Sequence, residues 1–353
     1  MARYKFEQIA INSTEKKKPV EADRFTYLGL EHLDSNSLQV TRFGSEVAPI
    51  GEKLVMHKGD VLFGKRRAYQ KKVAIAPLDG IFSAHGMVLR PKENVIDKNF
   101  FPFFISSDYF LDAAIKISVG SLSPTINWRD LKELEFELPN LAKQKELAEV
   151  LWAMDATKQT YQKLLAATDE LVKAHFVEMF GSIDSEGNFP RKHWNEVLNI
   201  INGRDHKPVS NPNGKYPVYG SGGLMGRADD YLCPENTVVV GRKGTIDKPF
   251  LVAEKFLNVD TVFGVVPNEG VLHHLYLLWY CKQLDFKKLN KASTLPSTAK
   301  KDLLKLAINI PPIELQEQFA AFVRQSDKSK SELERTLSEL TATYKRIIAE
   351  NLV

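Results

Sequence analysis

Eight consecutive residues, Lys65-Arg66-Arg67-Ala68-Tyr69-Gln70-Lys71-Lys72, carry five positive charges, one aromatic ring and no acid. They follow a strand-like run that ends in Gly64. Arg and Lys at this density suit phosphate oxygens, and both can also pair with guanine edges in a major groove. A charge run standing alone is more often a solvated face. Here it is answered later in the chain by Val239-Val240-Gly241-Arg242-Lys243-Gly244-Thr245-Ile246-Asp247-Lys248, again strand, glycine, base. The recurrence favours contact with nucleic acid. The first-half candidates are Lys65, Arg66, Arg67, Tyr69, Lys71 and Lys72, and the second-half candidates Arg242, Lys243 and Lys248. His85, in the turn-like Phe82-Ser83-Ala84-His85-Gly86, could read a base or serve a structural role equally well. Tyr219 and Arg227 complete the DNA-binding set. They flank Gly220-Ser221-Gly222-Gly223-Leu224-Met225-Gly226, which reads as a flexible loop that lets backbone approach a ligand.

No catalytic constellation accompanies these bases. Gly59 to Lys65 nearly spells a phosphate-binding P-loop, but Arg66 stands where a Ser or Thr must hold Mg²⁺, and the intervening residues are strand-like. Met225 occupies the third glycine position of a dinucleotide loop. Neither Asn309-Ile310-Pro311-Pro312 nor Asn211-Pro212-Asn213-Gly214 is the Asn-Pro-Pro-aromatic motif of an adenine methyltransferase. The histidines give no HExxH pattern, and the adjacent His273 and His274 would not face the same way on a helix. No cofactor, metal or catalytic residue is therefore expected. A stand-alone DNA methyltransferase or nuclease with its own recognition domains is the competing reading, and it would need the motifs just excluded. A purely structural coiled-coil scaffold would leave the paired basic segments unexplained.

The formal net charge of +4 is only mildly basic, so clustering carries the nucleic-acid argument. Cys233 and Cys281 are the only cysteines, which suits a reducing cytoplasm. The N-terminus lacks the apolar core of a signal peptide, and the most apolar run, Leu275 to Cys281, is too short to span a bilayer.

The elements that must position the bases come in two copies. Leu138-Pro139-Asn140-Leu141 and Ile310-Pro311-Pro312-Ile313 open matching segments, and the same offset takes Pro124 to Pro296, Leu131 to Leu303, Leu134 to Leu306, Gln144 to Gln316, Ala148 to Ala320 and Asp155 to Asp327 without a gap. That is a duplicated domain with its connector, longer than a solenoid unit. Arg3 to Leu138 alternates short strands with turns, apart from a helical stretch at 100–117, and Leu134, Phe136 and Leu138 alternate as a half-buried strand. Leu141 to Phe180 then lacks Pro and Gly and is rich in helix formers, with Gly181 as its stop. Trp194 to Ile310 repeats the mixed texture, and 313–353 the helical one. A heptad seam runs through Leu147, Leu151, Met154, Lys158, Tyr161, Leu165, Thr168, Val172, His175 and Met179. Its copy is Phe319, Val323, Ser326, Lys330, Leu333, Leu337, Leu340, Tyr344, Ile347 and Asn351. Seams that face each other would pair antiparallel, because the second domain sits between the helices in sequence.

Tyr27-Leu28-Gly29-Leu30-Glu31, Gly59 to Lys65, Tyr216-Pro217-Val218-Tyr219-Gly220-Ser221-Gly222-Gly223 and the two Pro-x-x-x-x-Gln helix entries resemble the DNA-specificity subunit of type I restriction-modification enzymes, over essentially the whole chain. The resemblance implies an α+β fold. Two similar mixed α/β target-recognition domains, 1–138 and 182–310, would be separated by two long antiparallel helices, 139–181 and 311–353. It also implies double-stranded DNA read in two halves, with two methyltransferase subunits docked on the helices. Those subunits would carry S-adenosylmethionine and methylate adenine. A translocating restriction subunit can join, and the recognition chain itself would be a non-catalytic, cytoplasmic protein with no membrane partner.

Overall fold

The computed structural model describes residues 1–183, 189–289 and 296–352. The chain divides into two compact units, Met1–Gln162 with Arg335–Val353, and Lys163–Glu334.

In the first unit the strand Val61–Phe63 is buried along its whole length. Its side chains alternate between two cores. Val61 and Phe63 join an aromatic cluster built on Phe6, Phe104, Phe110 and Phe136, while Leu62 packs with Leu28, Leu54 and Phe82. Burial on both faces explains why this strand reads as an unbroken apolar run. Its antiparallel sheet has the order Ala10–Ser13, Met87–Pro91, Val61–Phe63, Val73–Ile75. A second sheet has the order Lys16–Lys17, Lys53–Met56, Gly80–Phe82, Tyr27–Leu28, its last pair parallel. Ala2–Lys5 pairs with Glu135–Leu138, where Phe136 and Leu138 point inward as their spacing predicts. The helical stretch at 100–117 is two helices, Phe101–Ser106 and Asp108–Lys116, because Ser107 leaves the helical conformation and caps the second by accepting from the Phe110 N–H.

The second unit repeats this plan. Its antiparallel sheet has the order Leu198–Asn202, Val262–Pro267, Thr237–Gly241, Phe250–Val252. Val238 and Val240 face one core and Val239 another. A three-stranded sheet, Gly223–Ala228, Tyr216–Gly220, Leu257–Asn258, again ends in a parallel pair. The glycine-rich stretch expected as a loop is largely its edge strand, paired to Tyr216–Gly220 through a bulge at Val218/Tyr219. Arg191–His193 pairs with Ala307–Asn309. The apolar run at Leu275 lies in the helix His274–Gln283, buried from Leu275 to Cys281. His273 is its cap, outside the helix proper, so the expectation that adjacent histidines diverge fails. Their ring centroids are 4.2 Å apart. Among the described residues no helix is long and apolar enough to cross a membrane.

The two long helices are Leu141–Phe180, of 40 residues, and Ile313–Asn351, of 39. In the first unit Leu147, Ala148 and Leu151 share a core with Ile348 and Leu352, and the Phe103 ring lies 4.7 Å from Trp152 and 6.0 Å from Tyr344. In the second, Phe176 lies 5.4 Å from Phe319, and Lys330 Nζ donates to Asp169 at 2.8 Å. Numbers rise along one helix as they fall along the other, so within each unit the helices run antiparallel. Every residue of both seams is buried or half-buried. On the first helix full burial is confined to the ends, up to Leu151 and from Val172 onward.

Each helix is locked to its domain by the glutamine of its entry motif. Gln144 is 1% exposed. Its Oε1 accepts from the Asp97 N–H at 2.8 Å, and its Nε2 donates to the Val95 and Pro139 carbonyls. Gln316 repeats this, accepting from the His273 N–H and donating to the Val271 and Pro311 carbonyls.

Candidate nucleic-acid interface

Both basic segments leave the buried end of a central strand through a glycine, tightly packed at Gly64 and sterically required at Gly241. A Cβ on Gly64 would lie 3.2 Å from Lys72 Cβ, and one on Gly241 2.1 Å from the Thr245 carbonyl oxygen. Each segment is then seated on the loop ahead of the conserved-offset leucines. Ile126 N–H donates to the Lys65 carbonyl and Arg67 N–H to that of Pro124, and Arg66 forms a β-bridge with Thr125. In the second unit Thr298 N–H donates to the Arg242 carbonyl and Gly244 N–H to that of Pro296, and Lys243 bridges Ser297. Pro124 and Pro296 were visible in the repeat. Their part in seating the bases was not, because the partners lie far away in sequence.

The side chains divide by what holds them. Arg66 and Arg67 are exposed, and Lys65 is half-buried. Arg66 Nε donates to Ser123 Oγ at 3.0 Å, and its Nη1 lies 3.2 Å from His85 Nε2. A guanidinium only donates, so His85 accepts there and carries its proton on Nδ1. Burial, then Arg66, Lys65 and Lys53, hold the His85 pKa below the ordinary imidazole value. Arg67 (φ 54°) and Lys71 (φ 49°) adopt the left-handed conformation on either side of a 3₁₀ turn that presents Tyr69, 57% exposed. Strain of this kind in non-glycine residues collects at functional turns. Lys71 is committed inward, at 2.7 Å from both Asp108 and Asp112. Lys72 Nζ donates to the Leu30 carbonyl at 2.6 Å.

In the second unit Arg242 lies 5.6 Å over the Phe263 ring, and Lys243 Nζ is 3.5 Å from Asp260. Lys248 is exposed on the following turn. Arg227 donates to the Gly214 and Lys215 carbonyls, clamping the hairpin base. Tyr219 packs its ring 5.6 Å from both Phe250 and Phe256. The first unit thus gathers Lys65, Arg66, Arg67, Tyr69 and His85 on one loop surface, and the second gathers Arg242 and Lys243. Tyr219, Arg227, Lys71 and Lys72 are tied to the scaffold. Lys16 and Lys53, which share the field around Lys65 and His85, had no sequence signal beyond ordinary surface charge. Among the described residues no cluster of His, Cys, Asp or Glu could hold a metal ion.

Comparison with known proteins fits this duplicated arrangement. The EcoDI type I restriction enzyme specificity subunit of Escherichia coli is 25% identical over 182 residues, which are 50% of this chain and 40% of that subunit. The chain therefore matches less than half of that relative's length. A provisionally named type I restriction enzyme specificity subunit, MjaX, of Methanocaldococcus jannaschii is 23% identical over 88% of this chain and 84% of its own. The crystal structure of the S subunit of a type I restriction-modification system from M. genitalium superposes with a TM-score of 0.61 at 15% identity, covering 100% of this chain and 96% of that one. A chain from a study of complex assembly and conformational transition in a type I system gives 0.59 at 18%, covering 99% and 97%. At these identities both structures speak for the fold alone. The family described as type I restriction modification DNA specificity domain matches twice, at residues 21–167 and 191–341, one match for each copy of the repeat, and this chain belongs to that family.

Proposed function

We propose that the chain is the DNA sequence-specificity subunit of a type I restriction-modification assembly, and that each unit reads one half of a bipartite target. The observation that carries this reading is the duplicated basic segment, seated by equivalent hydrogen bonds in both units of a chain that belongs to the specificity family. The recognition domains are assigned to 1–138 and 182–310, and the spacer helices to 139–181 and 311–353. The helices set the distance between half-sites and dock two methyltransferase subunits, while a restriction subunit is a further partner. The chain performs no chemistry of its own. Arg66, Arg67, Tyr69 and His85 in the first unit, and Arg242, Lys243 and Lys248 in the second, are the DNA-facing residues. The test is methylation of genomic DNA by the purified chain with its methyltransferase subunits, followed by sequencing of the methylated sites. A split motif is expected, only when both components are present. Turnover by the chain alone, S-adenosylmethionine binding by the chain alone, or a single undivided motif would overturn the reading.

A further inference from the structure

Behind the first basic segment lies a recess of about 170 Å³, lined by Asn12, Ser13, Lys16, Lys65, Asn127 and Trp128 among others. Lys65 is half-buried there, and its ammonium has no hydrogen-bond or ion-pair partner among the described residues. Lys16 faces the same space, and its one carboxylate, Glu52, stands off at 3.7 Å with both side chains more than half exposed. Lys53 and Arg66 add to the positive field at the neighbouring His85. A half-buried ammonium beside other cations loses hydration and suffers repulsion, and burial with Lys16 lowers the Lys65 pKa accordingly. An anion in the recess would reverse both penalties.

The second unit is built differently at the corresponding position. The ungapped repeat that takes Pro124 to Pro296 takes Trp128 to Lys300. Strand pairing makes Asn12 equivalent to Ile200: they face Leu89 and Val265, which face Val61 and Val238, each three residues before Gly64 and Gly241. In the second unit Lys300 Nζ donates to the Ile200 carbonyl, so an internal cation occupies the equivalent place. In the first unit an indole stands there, and the space remains open.

We propose that the Lys16–Lys65 recess is a phosphate-binding site specific to the first unit, taking a phosphodiester group of the DNA backbone. The proposal rests on the DNA-recognition reading above and adds an asymmetry to it, one seated phosphate in the first unit without a counterpart in the second. The test is binding of the full chain to a short mixed-sequence duplex as a function of salt. Each lost phosphate contact should lower the log–log salt slope by about 0.9. Lys65→Gln and Lys16→Gln should each produce that loss, the double variant no more than either alone, and Lys65→Arg should restore the wild-type slope. Lys300→Gln should leave the slope unchanged. An unchanged slope in Lys65→Gln, or an equal loss in Lys300→Gln, would overturn the recess while leaving DNA recognition standing. No duplex binding by the wild-type chain would overturn both. Thermal melting in inorganic phosphate against chloride, without DNA, separates the two sources of the anion. Stabilisation of wild type but not of Lys65→Gln, together with an unchanged duplex slope, would assign the recess to free phosphate and overturn the backbone assignment.

Discussion

Of the five cations between Lys65 and Lys72, two are tied to the domain by their ammonium groups. Burial works against charged Lys71, yet Asp108 and Asp112 outweigh it and raise its pKa, while Lys72 is bonded to a carbonyl. The sequence shows where bases cluster but not which of them are already held by the fold, because the acids that pair with Lys71 and the carbonyl that accepts from Lys72 lie far away along the chain. Salt-dependent duplex binding should tell them apart. Arg66→Gln and Arg67→Gln are each expected to lower the slope by roughly 0.9, and Lys71→Gln to leave it intact. Lys71→Gln should instead reduce stability by about 1 kcal/mol, the scale of partly exposed ion pairs, read by chemical denaturation. A second residue-scale expectation concerns His274. Burial, then His273 and Arg324, push its pKa down to about 4, and Glu269 only partly opposes them. The unfolded chain therefore takes up this proton near the ordinary value of about 6.5 while the folded chain resists. Stability from this group is full above about pH 6.5 and is lost as pH falls toward 4. Melting temperature against pH should show that decline, and His274→Asn should flatten it.

The strands and the helical seams were legible because they follow from periodicity. An alternating Leu134-Phe136-Leu138, or a heptad of apolar residues free of Pro and Gly, has few alternatives. The Gly223–Ala228 strand was not, because its glycines carry no β signal and its pairing with Tyr216–Gly220 is what makes it a strand. The Pro-x-x-x-x-Gln motif was visible only as a repeat. Its physical content is a buried amide with both ends satisfied, which fixes each helix against its own domain. Gln316→Ala would leave the His273 N–H and the Val271 and Pro311 carbonyls without their partner. A loss of about 3 kcal/mol is expected by denaturant titration, with Gln316→Glu nearly as harmful because a carboxylate cannot donate. A loss under about 0.5 kcal/mol would show that the latch is ornamental, since such a change is typical of an ordinary surface substitution. The helices also carry a geometric expectation. One heptad adds about 10 Å at ~1.5 Å per residue, near three base pairs at roughly 3.4 Å each. Matched seven-residue insertions after Leu165 and Leu337 keep the seam in phase. They should lengthen the spacer between methylated half-sites by about three base pairs, with both half-sites unchanged. An unaltered spacer in an active complex would show that the helices do not measure the distance.

At the scale of the molecule, two units built on one plan imply interchangeable parts. Replacing Trp194 to Ile310 with the matching segment of a relative is expected to change one half of the methylated motif and leave the other untouched. A change in both halves would count against independent reading. The units differ, however, in how the chain supplies them. Residues 163–334 form the second unit in one continuous stretch, whereas the first is completed only by 335–353, whose Ile348 and Leu352 enter the core around Leu147 and Leu151. Most multidomain chains fold from the N-terminus as they emerge from the ribosome. In this chain the earlier domain depends on residues made after the later one. The later domain draws on 163–334 alone, whereas part of the earlier one's aromatic interior stays uncovered until 335–352 is in place. A chain cut after about residue 334 is therefore expected to lose protection in the domain made first and to keep it in the domain made second, as read by limited proteolysis.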